Sequence, residues 1–509
     1  MNRLLVLSTL AALGAAGLSA QSPSTAVERS AATITEADVR RRIFVIAHDS
    51  MGGRNTPSPG LNKTADYIAA EFKRFGLKPG GDSGTFLQRY AITRRQLLAD
   101  RSTVSFEGEG RNIDATLAKG AVLISGPTTA TARGPVVLVG GSAPPDSIPT
   151  DQLRGSLIVY LPTPSSQRPN RAGLRALQRL ASSGAVAVAV VLGSDSLLAG
   201  YARVQGTVRT VLGSGRGIPI VGVSEPAIVA AVPEAAEQID AVRRSSGIAV
   251  APAPGWTGEI ILRDTVLSSV RAPNVVGILE GSDPALRNEY LVYSAHMDHV
   301  GTTGQPGAAC RAQGADSVCN GADDDGSGTV GVVELAEAFS RPGARPRRSV
   351  IFLTVSGEEH GLWGSDWFAN NPPVPASQIV ANLNADMIGR NWKDTIVVIG
   401  KEHSDLGTTM NRVNAAHPEL RMTAIDDPWP AESFYTRSDH YNFAVKGIPI
   451  LFFFSGVHAD YHQASDSPEK IDAEKESRIL RLMFYLGQEV GNAPERPKWN
   501  PESYRRIVQ

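Results

Sequence analysis

Residues 349–359 read SVIFLTVSGEE, and this stretch decides the fold that we expect for the chain. Its first seven residues form a mostly apolar run of the length of a buried strand, and the Ser-Gly pair after them predicts a turn. Glu358 and Glu359 follow that turn directly. Because adjacent side chains point in different directions, one carboxylate can ligate a metal ion while the other faces a bound water. A pair of surface glutamates is the alternative.

Strands and helices alternate on both sides of this stretch, from residue 274 to the C-terminal region. The predicted strands are 274–279, 290–295, 349–355, 379–384, 395–399 and 448–454, and the predicted helices follow Gly328 and Leu362, span 406–415, and carry Ile479 to Val490. This alternation indicates an α/β fold with a mixed central sheet flanked by helices. In such sheets ligands bind beyond the carboxyl ends of the strands.

Four further polar clusters lie at or near the ends of predicted strands, so that one pocket could gather them. They are His296-Met297-Asp298-His299, Asp323-Asp324-Asp325, Asn384-Ala385-Asp386 and Tyr461-His462. Imidazole nitrogens and carboxylate oxygens are ordinary ligands of Zn²⁺. In the His-x-Asp spacing, Asp298 can hold the unligated ring nitrogen of His296 and so fix its tautomer. A solvated strand end is the alternative interpretation of that spacing.

The run Asp323-Asp324-Asp325 stands before an apolar helix, where capping and the helix dipole already favour acidic residues. Three adjacent carboxylates also repel one another, and a divalent cation would relieve that cost. Tyr461 beside a metal site could stabilise the oxyanion of a tetrahedral intermediate, although it could equally stack or hydrogen-bond. A metal ion that lowers the pKa of water, with a carboxylate that accepts its proton, is what metal-assisted hydrolysis needs.

The first twenty residues are typical of a secretory signal peptide. Arg3 is followed by an apolar run from Leu4 to Leu18 and then by the small pair Ser19-Ala20. A buried core helix is the alternative. We therefore expect a secreted or periplasmic protein. No later stretch approaches the ~20 uninterrupted apolar residues that a membrane span needs, so we expect no stable membrane insertion.

The composition is that of a globular protein with more than one domain. The 509 residues are 42% hydrophobic and 20% charged, with a formal net charge of −1, which disfavours a nucleic-acid partner. Short β-branched runs separated by Gly, Pro and Ser fill residues 112–264, so we expect a strand-rich module there with at least one helix. Cys310 and Cys319 would plausibly form a disulfide in an oxidising compartment, metal binding being the alternative.

Taken in order, six motifs resemble those of the zinc metallopeptidase family M28, which includes bacterial leucyl aminopeptidases and glutamate carboxypeptidases. They are Ala295-His296-Met297-Asp298-His299, the NGADDDGSG run at 320–328, Ser356-Gly357-Glu358-Glu359, Asn384-Ala385-Asp386-Met387-Ile388-Gly389, Ser438-Asp439-His440 and Asp460-Tyr461-His462. The strand-rich module resembles a protease-associated domain. The implied fold is the phosphorylase/hydrolase-like zinc exopeptidase fold, with a discontinuous peptidase domain at 21–111 and 265–490, the insert at 112–264 and an unassigned tail at 491–509.

The resemblance implies a role for each residue of the site and two Zn²⁺ ions per chain. Asp324 would bridge the ions, His296 and Asp386 would complete one, and Glu359 and His462 would complete the other. Glu358 would then be the general base, Asp298 the group that orients His296, and Tyr461 the oxyanion donor.

The activity expected from this resemblance is that of a zinc-dependent aminopeptidase acting on peptides. A carboxypeptidase or dipeptidase of the same family is the first alternative, because the metal ligands do not encode which end of a peptide is held. Arg390 and Arg437 are candidate anchors for a substrate carboxylate, although surface ion pairing is the commoner role of arginine. A glutaminyl cyclase with one zinc, or a binding protein on a degenerate scaffold, would be expected to lack ligands. The sequence does not indicate the oligomeric state.

Overall fold

The structure, a computed structural model, describes residues 23–508 apart from 109–110, 118, 143–146, 163–170, 194, 206, 214, 216 and 232–234. The predicted signal peptide, residues 1–20, lies outside the described residues. The chain divides into unit 1, which comprises the described residues up to Gln88 together with Asn274–Val508, and unit 2, Arg89–Pro273. Within the described part of the chain, no helix has the length and apolar character needed to span a membrane.

The strands, numbered along the chain, are β1 (Lys78–Pro79), β2 (Leu87–Leu97), β3 (Thr103–Gly108), β4 (Arg111–Thr116), β5 (Ala121–Ser125), β6 (Ala130–Gly141), β7 (Leu157–Leu161), β8 (Ala187–Leu192), β9 (Val208–Leu212), β10 (Ile220–Ser224), β11 (Ile248–Leu262), β12 (Asp264–Leu279), β13 (Tyr290–His296), β14 (Ser349–Val355), β15 (Ile379–Ala385), β16 (Thr395–Ile399), β17 (Thr423–Ile425) and β18 (Ile450–Phe454).

The helices, numbered in the same way, are α1 (Pro23–Ala31), α2 (Glu36–Ile46), α3 (Pro59–Arg74), α4 (Arg171–Ala181), α5 (Asp195–Gln205), α6 (Glu225–Ala231), α7 (Ala235–Arg243), α8 (Gly328–Phe339), α9 (Trp363–Asn370), α10 (Leu406–Ala416), α11 (His440–Ala444), α12 (Ala473–Asn492) and α13 (Pro501–Ile507).

Unit 1 contains a mixed sheet with the strand order β17-β16-β18-β15-β13-β14-β12. The four neighbours β18, β15, β13 and β14 run parallel, whereas β12 pairs with β14 and β16 pairs with β18 in the antiparallel direction. The prediction of an α/β fold with a mixed central sheet is confirmed. Because the four central strands are parallel, their carboxyl ends meet at one edge of the sheet.

Helices cover both faces of this sheet, as the alternation along β14 shows. Phe352 stacks on Tyr293, with ring centroids 5.8 Å apart, and also contacts Phe339 of α8. Its neighbours Ile351 and Leu353 pack in a different cluster, with Phe368 of α9 and with residues of α11. Successive side chains of a strand point to opposite faces, so α8 and the pair α9 and α11 lie on opposite sides.

The N-terminal helices of unit 1 are capped and joined by side-chain contacts. Thr35 caps α2, because its hydroxyl oxygen accepts a hydrogen bond from the backbone N–H of Asp38 at 3.1 Å. Arg42 of α2 is fully buried and forms ion pairs with Glu334 and Glu337 of α8 and, at 3.1 Å, with Glu71 of α3. A buried cation shared by three carboxylates ties these helices together.

The residues after 490 also belong to unit 1. Trp499 donates a hydrogen bond from Nε1 to the backbone oxygen of Gly447 at 2.8 Å, and α13 follows it. Ile507 of α13 is buried in the same cluster as Ile448 and Ile450. The predicted unassigned tail, 491–509, therefore packs against unit 1 and contributes Ile507 to its core.

Unit 2 contains a second sheet with the strand order β4-β3-β11-β6-β7-β8-β10-β5. Side chains of β7 alternate between two apolar clusters, because Leu157, Val159 and Leu161 pack in one and Ile158 in the other. A sheet with both faces covered explains the β-branched runs in this part of the sequence. The predicted insert, 112–264, lies within unit 2, which is longer and comprises Arg89–Pro273. Strands β2 and β12 run across the two ends of unit 2 without a break.

We predict that Phe352→Ala destabilises unit 1 by about 3–5 kcal/mol, because it removes a fully buried ring from contact with several aromatic neighbours. The measurement is urea unfolding followed by tryptophan fluorescence, which reports mainly on unit 1 because five of the six tryptophans lie there. Phe44→Ala is the matched control, since Phe44 is 40% exposed and should change stability by no more than about 0.5 kcal/mol. Equal effects of the two substitutions would contradict this packing.

Candidate metal centre

Polar side chains lie at the carboxyl ends of the four parallel strands of unit 1, along one edge of the sheet. His296 is the last residue of β13, and Asp386 directly follows β15. Glu358 and Glu359 follow β14 after a two-residue turn, and His462 lies in the loop after β18. Asp324 comes from the loop before α8, which packs against β13, β14 and β15. The predicted location of the site at the carboxyl ends of the strands agrees with this arrangement.

Asp324 lies between two imidazole rings. Its Oδ1 atom is 3.3 Å from His296 Nε2, and its Oδ2 atom is 3.1 Å from His462 Nε2. Asp386 Oδ1 is 3.6 Å from His296 Nε2, and Glu359 Oε2 is 3.0 Å from His462 Nε2. The structure thus brings the five predicted ligands together as two groups that share Asp324. Donors held ~2.1 Å from one tetrahedral zinc ion lie ~3.4 Å apart, which is close to these separations.

Several of these donor atoms are buried and make no hydrogen bond. Among the described residues, Asp324 Oδ2, Asp386 Oδ1 and His462 Nε2 lack a hydrogen-bond partner although they lie close to complementary groups. Buried polar atoms without partners are costly, so atoms left in this state point to a missing ligand. Carboxylate oxygens and imidazole nitrogens around shared points fit divalent zinc.

The electrostatic field of the site favours positive charge. Burial acts to lower the pKa of His462, but the carboxylates of Asp324 and Glu359 outweigh it and raise that pKa to about 10. Burial likewise opposes the charged form of His296, and Asp386 and Glu358 raise its pKa well above the ordinary value. A field that holds protons on two imidazoles also favours a bound cation, which would displace those protons.

His299 is a further imidazole in the second group, and its role was not predicted. Its Nδ1 atom is 2.9 Å from Glu359 Oε1 and 3.6 Å from Asp324 Oδ2. His299, Asp324 and Glu359 offer donor atoms close enough together to hold a metal ion. His462 Nε2 lies nearer than His299 Nδ1 to Asp324 Oδ2, at 3.1 Å against 3.6 Å, which favours His462 as the ligand and His299 as the residue that orients Glu359. Gly321 is required beside this ring, since a Cβ atom there would lie 2.5 Å from it.

Asp298 faces the ring of His296, and its carboxylate makes further contacts. The atom nearest to His296 Nδ1 is the backbone oxygen of Asp298, at 3.2 Å, while its carboxylate Oδ1 is 3.7 Å away. The carboxylate accepts hydrogen bonds from the Thr56 hydroxyl at 2.9 Å and from the backbone N–H of Glu358 at 3.2 Å. Asp298 therefore positions the turn that carries Glu358 as well as the ring of His296.

Two neighbouring acids hold the backbone of the Asp324 loop. Asp466 Oδ2 accepts hydrogen bonds from the backbone N–H groups of Asp323 at 3.0 Å and Asp324 at 3.1 Å. Asp325 accepts hydrogen bonds from the backbone N–H groups of His296, Gly328 and Met387. Both oxygens of Asp325 are thus occupied, which leaves Asp324 as the member of the acidic run that faces the two imidazoles.

Arg54 joins three segments of chain beneath the site. It is fully buried, and its guanidinium donates hydrogen bonds to the backbone oxygens of Met297 at 2.9 Å, Ile46 at 3.1 Å and Gly321 at 2.8 Å. These bonds fix the loop after His296 and the loop before Asp324 relative to each other. Burial lowers the pKa of Arg54, and the negative charge of Asp324 opposes this shift.

The Ser438-Asp439-His440 motif supports the site without supplying a ligand. Ser438 donates a hydrogen bond to Asp386 Oδ2 at 2.8 Å, which turns the other carboxylate oxygen towards His296. His440 stacks on Phe452 and faces the backbone oxygen of Tyr435 at 2.8 Å. Burial lowers the pKa of His440 to about 3, so this imidazole is neutral and serves packing.

A cavity opens onto the first of the two groups, the one formed by His296, Asp324 and Asp386. Glu358, Asp324, Asp386 and His296 line one side, and Phe434, Phe452, Phe454, Val457 and Tyr461 provide aromatic and apolar surface. Burial, reinforced by the negative charge of Glu359, raises the pKa of Glu358 well above the ordinary value. Burial also raises the pKa of Tyr461, whose ring stacks on His462 with centroids 3.9 Å apart.

The structure joins Cys310 and Cys319 in a disulfide, with 5.7 Å between the Cα atoms. Both side chains pack with Val300 and Ala464, so the loop that they close lies against the segments after His299 and after His462. The pair supplies no donor to the candidate centre.

The fold and the donor set define an α/β metalloprotein with its site at the carboxyl ends of parallel strands. Residues 274–487 match the sequence profile described as peptidase family M28.

Curated relatives of the chain have been named for several activities. The chain is 31% identical to leupeptin-inactivating enzyme 1 of Streptomyces exfoliatus over 39% of this chain and 38% of that protein. It is 32% identical to a protein of Leptosphaeria maculans named "Probable zinc metalloprotease" (45% of this chain, 59% of the relative). It is 26% identical to one of Arthroderma benhamiae named "Probable leucine aminopeptidase" (46% and 61%). Each match spans less than two thirds of the relative.

Solved structures of similar arrangement include the aminopeptidase from Aneurinibacillus sp. strain AM-1, with a TM-score of 0.48 and 18% identity over 92% of this chain and 97% of that one. The zinc aminopeptidase from Bacillus subtilis has a TM-score of 0.46 and 17% identity over 91% and 96%.

We predict that Asp466→Asn weakens zinc binding about 10–100-fold, which is typical for loss of a residue that orients a metal ligand. An asparagine amide nitrogen cannot accept the backbone hydrogen bonds that Asp466 accepts, so the Asp324 loop loses part of its support. The measurement is competition for Zn²⁺ against a chelator. Asp426→Asn is the control, because its side chain is 86% exposed. Equal affinities of the two variants would contradict the role of Asp466.

Proposed function

We propose that the chain is a zinc-dependent exopeptidase, specifically an aminopeptidase that binds two zinc ions per chain. The observation that carries the proposal is the shared position of Asp324, with an oxygen directed at each imidazole of the two donor groups. Relatives named as zinc metalloprotease and leucine aminopeptidase support the metal and the reaction class.

In this proposal His296, Asp324 and Asp386 hold one ion, and Asp324, Glu359 and His462 hold the other. Zinc bound there supplies a Lewis acid for the scissile carbonyl and lowers the pKa of water. Glu358 accepts a proton from the attacking water and afterwards donates it to the departing amine. Tyr461, whose raised pKa keeps its hydroxyl protonated, donates a hydrogen bond to the oxyanion.

The cavity suits the first residue of a peptide with an apolar side chain. The carboxylates at its polar end attract the free ammonium group, while Phe434, Phe454 and Val457 offer an apolar surface to the side chain. Burial of a leucine-sized side chain is worth about 1.5–3 kcal/mol. We therefore propose a preference for large apolar N-terminal residues.

Two further parts of the proposal come from the sequence. The signal peptide at residues 1–20 supports export to the periplasm or beyond the cell. The resemblance of the insert to a protease-associated domain supports a role for unit 2 in access of substrate, and the mixed sheet and the helices α4 to α7 of its described residues are compatible with that assignment.

A dipeptidase or carboxypeptidase is the second candidate, and Arg437 is the observation that favours it. Of the two predicted carboxylate anchors, only Arg437 lines the cavity. Arg390 is engaged with Asp460 at 2.9 Å.

We predict that the purified protein hydrolyses leucine p-nitroanilide faster than the glutamate and lysine analogues. A chelator should abolish the activity and Zn²⁺ should restore it, because both polarisation of the carbonyl and activation of water need the metal. N-acetyl-leucine p-nitroanilide is the control and should not be cleaved. Cleavage of blocked peptides alone would contradict the aminopeptidase proposal.

We predict that Glu358→Gln keeps the metal content of the wild type and loses about 10²–10⁴-fold in kcat, because a glutamine cannot accept the proton of the attacking water. Metal content is measured by mass spectrometry and kcat with leucine p-nitroanilide. Glu495→Gln, at a side chain that is 71% exposed, should leave both unchanged. Loss of metal from the Glu358 variant would assign that residue to the ligands instead.

A further inference from the structure

The cavity above the candidate metal centre carries one fixed cation. Among the described residues that line it, Arg437 is the only lysine or arginine, while Asp324, Glu358 and Asp386 contribute carboxylates. Its neighbour in sequence, Ser438, is hydrogen-bonded to Asp386. Arg437 therefore lies close to the predicted metal ligands although it is not one of them.

The guanidinium of Arg437 stacks on an aromatic ring and makes one long ion pair. It lies over the ring of Phe434, another cavity residue, with 4.7 Å between the guanidinium carbon and the ring centroid. The ion pair with Glu432 is 3.8 Å long, beyond hydrogen-bonding distance, and the Arg437 side chain is 46% exposed. No described residue receives a hydrogen bond from this guanidinium.

The lining of the cavity limits where on a substrate the partner of Arg437 can lie. Arg437 and Glu358 line the same cavity, and Ser438, which follows Arg437, is hydrogen-bonded to Asp386. A substrate group that contacts Arg437 therefore lies close to the scissile bond. An ammonium group there would be repelled, whereas a carboxylate would match the planar fork of the guanidinium.

We propose that Arg437 binds a substrate carboxylate one or two residues beyond the scissile bond, so that the enzyme favours short peptides, with the free C-terminal carboxylate of a dipeptide or tripeptide as its partner. This inference rests on the peptidase activity proposed above. The same carboxylate chemistry could come from an acidic side chain at that position, and the substrates of the test separate the two sources.

The experiment compares kcat/KM for Leu-Gly with Leu-Gly-amide, which lacks the C-terminal carboxylate, and for Leu-Glu-amide with Leu-Gln-amide, which differ only in a side-chain carboxylate. Leucine p-nitroanilide, without any carboxylate, reports the activity of the metal centre itself. The enzymes are the wild type, Arg437→Gln, Arg437→Lys and the control Arg412→Gln, which alters a 59% exposed arginine outside the cavity lining.

We expect the wild type to prefer Leu-Gly over its amide by about 10-fold or more, the usual effect of a hydrogen bond to a charged group. Arg437→Gln should lose this preference through a higher KM for Leu-Gly, and Arg437→Lys should retain part of it. The control Arg412→Gln should keep the preference and hydrolyse leucine p-nitroanilide within about 2-fold of the wild type. A preference that persists in Arg437→Gln, or is absent from the wild type for both substrate pairs, would overturn the inference.

The p-nitroanilide arm separates this inference from the proposed function. If no enzyme hydrolyses leucine p-nitroanilide or any of the peptides with zinc bound, the peptidase proposal itself fails. If Arg437→Gln lowers hydrolysis of every substrate equally, Arg437 supports the structure of the site, and its assignment as a carboxylate anchor is wrong. If the preference appears only for Leu-Glu-amide over Leu-Gln-amide and depends on Arg437, the carboxylate belongs to a side chain and the preference for short peptides is overturned.

Discussion

The concentration of buried negative charge around Asp324 is the constraint on which the rest of unit 1 depends. Asp324, Asp386 and Glu359 place carboxylate oxygens within 3.6 Å of two imidazoles, and Asp324 is 3% exposed. Charges in such a place cost several kcal/mol each unless other groups compensate them. Backbone N–H groups, the guanidinium of Arg54 and protons or cations at the imidazoles provide that compensation. The buried negative charge of the site thus requires a cation, whether or not catalysis takes place there.

The sheet makes this arrangement possible because its four central strands are parallel. Each strand ends at the same edge, so residues far apart in sequence become neighbours there without long side chains having to reach across the molecule. The supporting contacts then come largely from backbone groups. Asp325 and Asp466 accept hydrogen bonds from backbone N–H groups, and Arg54 donates hydrogen bonds to backbone oxygens. The loops are therefore held through their backbone, and the donor atoms of the ligand side chains are left to face the metal site.

Much of unit 1 could be predicted from the sequence because its signals are local. The apolar run of β14 has the predicted bounds, Ser349–Val355. The roles of His299, Asp466 and Arg54 could not be predicted, since their partners lie far away in sequence or belong to the backbone. His440 and His462 both occur in short polar motifs. The sequence of these motifs gives no sign that His440 packs on Phe452 and that His462 does not. Helices α5 to α7 of unit 2 were not predicted individually, because their short segments carry weak apolar periodicity.

The most direct measurement is anomalous diffraction from crystals of the protein grown with Zn²⁺, recorded on both sides of the zinc absorption edge. The account predicts two anomalous peaks ~3.5–4 Å apart, each ~2.0–2.2 Å from a different carboxylate oxygen of Asp324. One would lie against His296 and Asp386, and the other against Glu359 and His462. A single peak, or peaks whose ligands do not include Asp324, would contradict it.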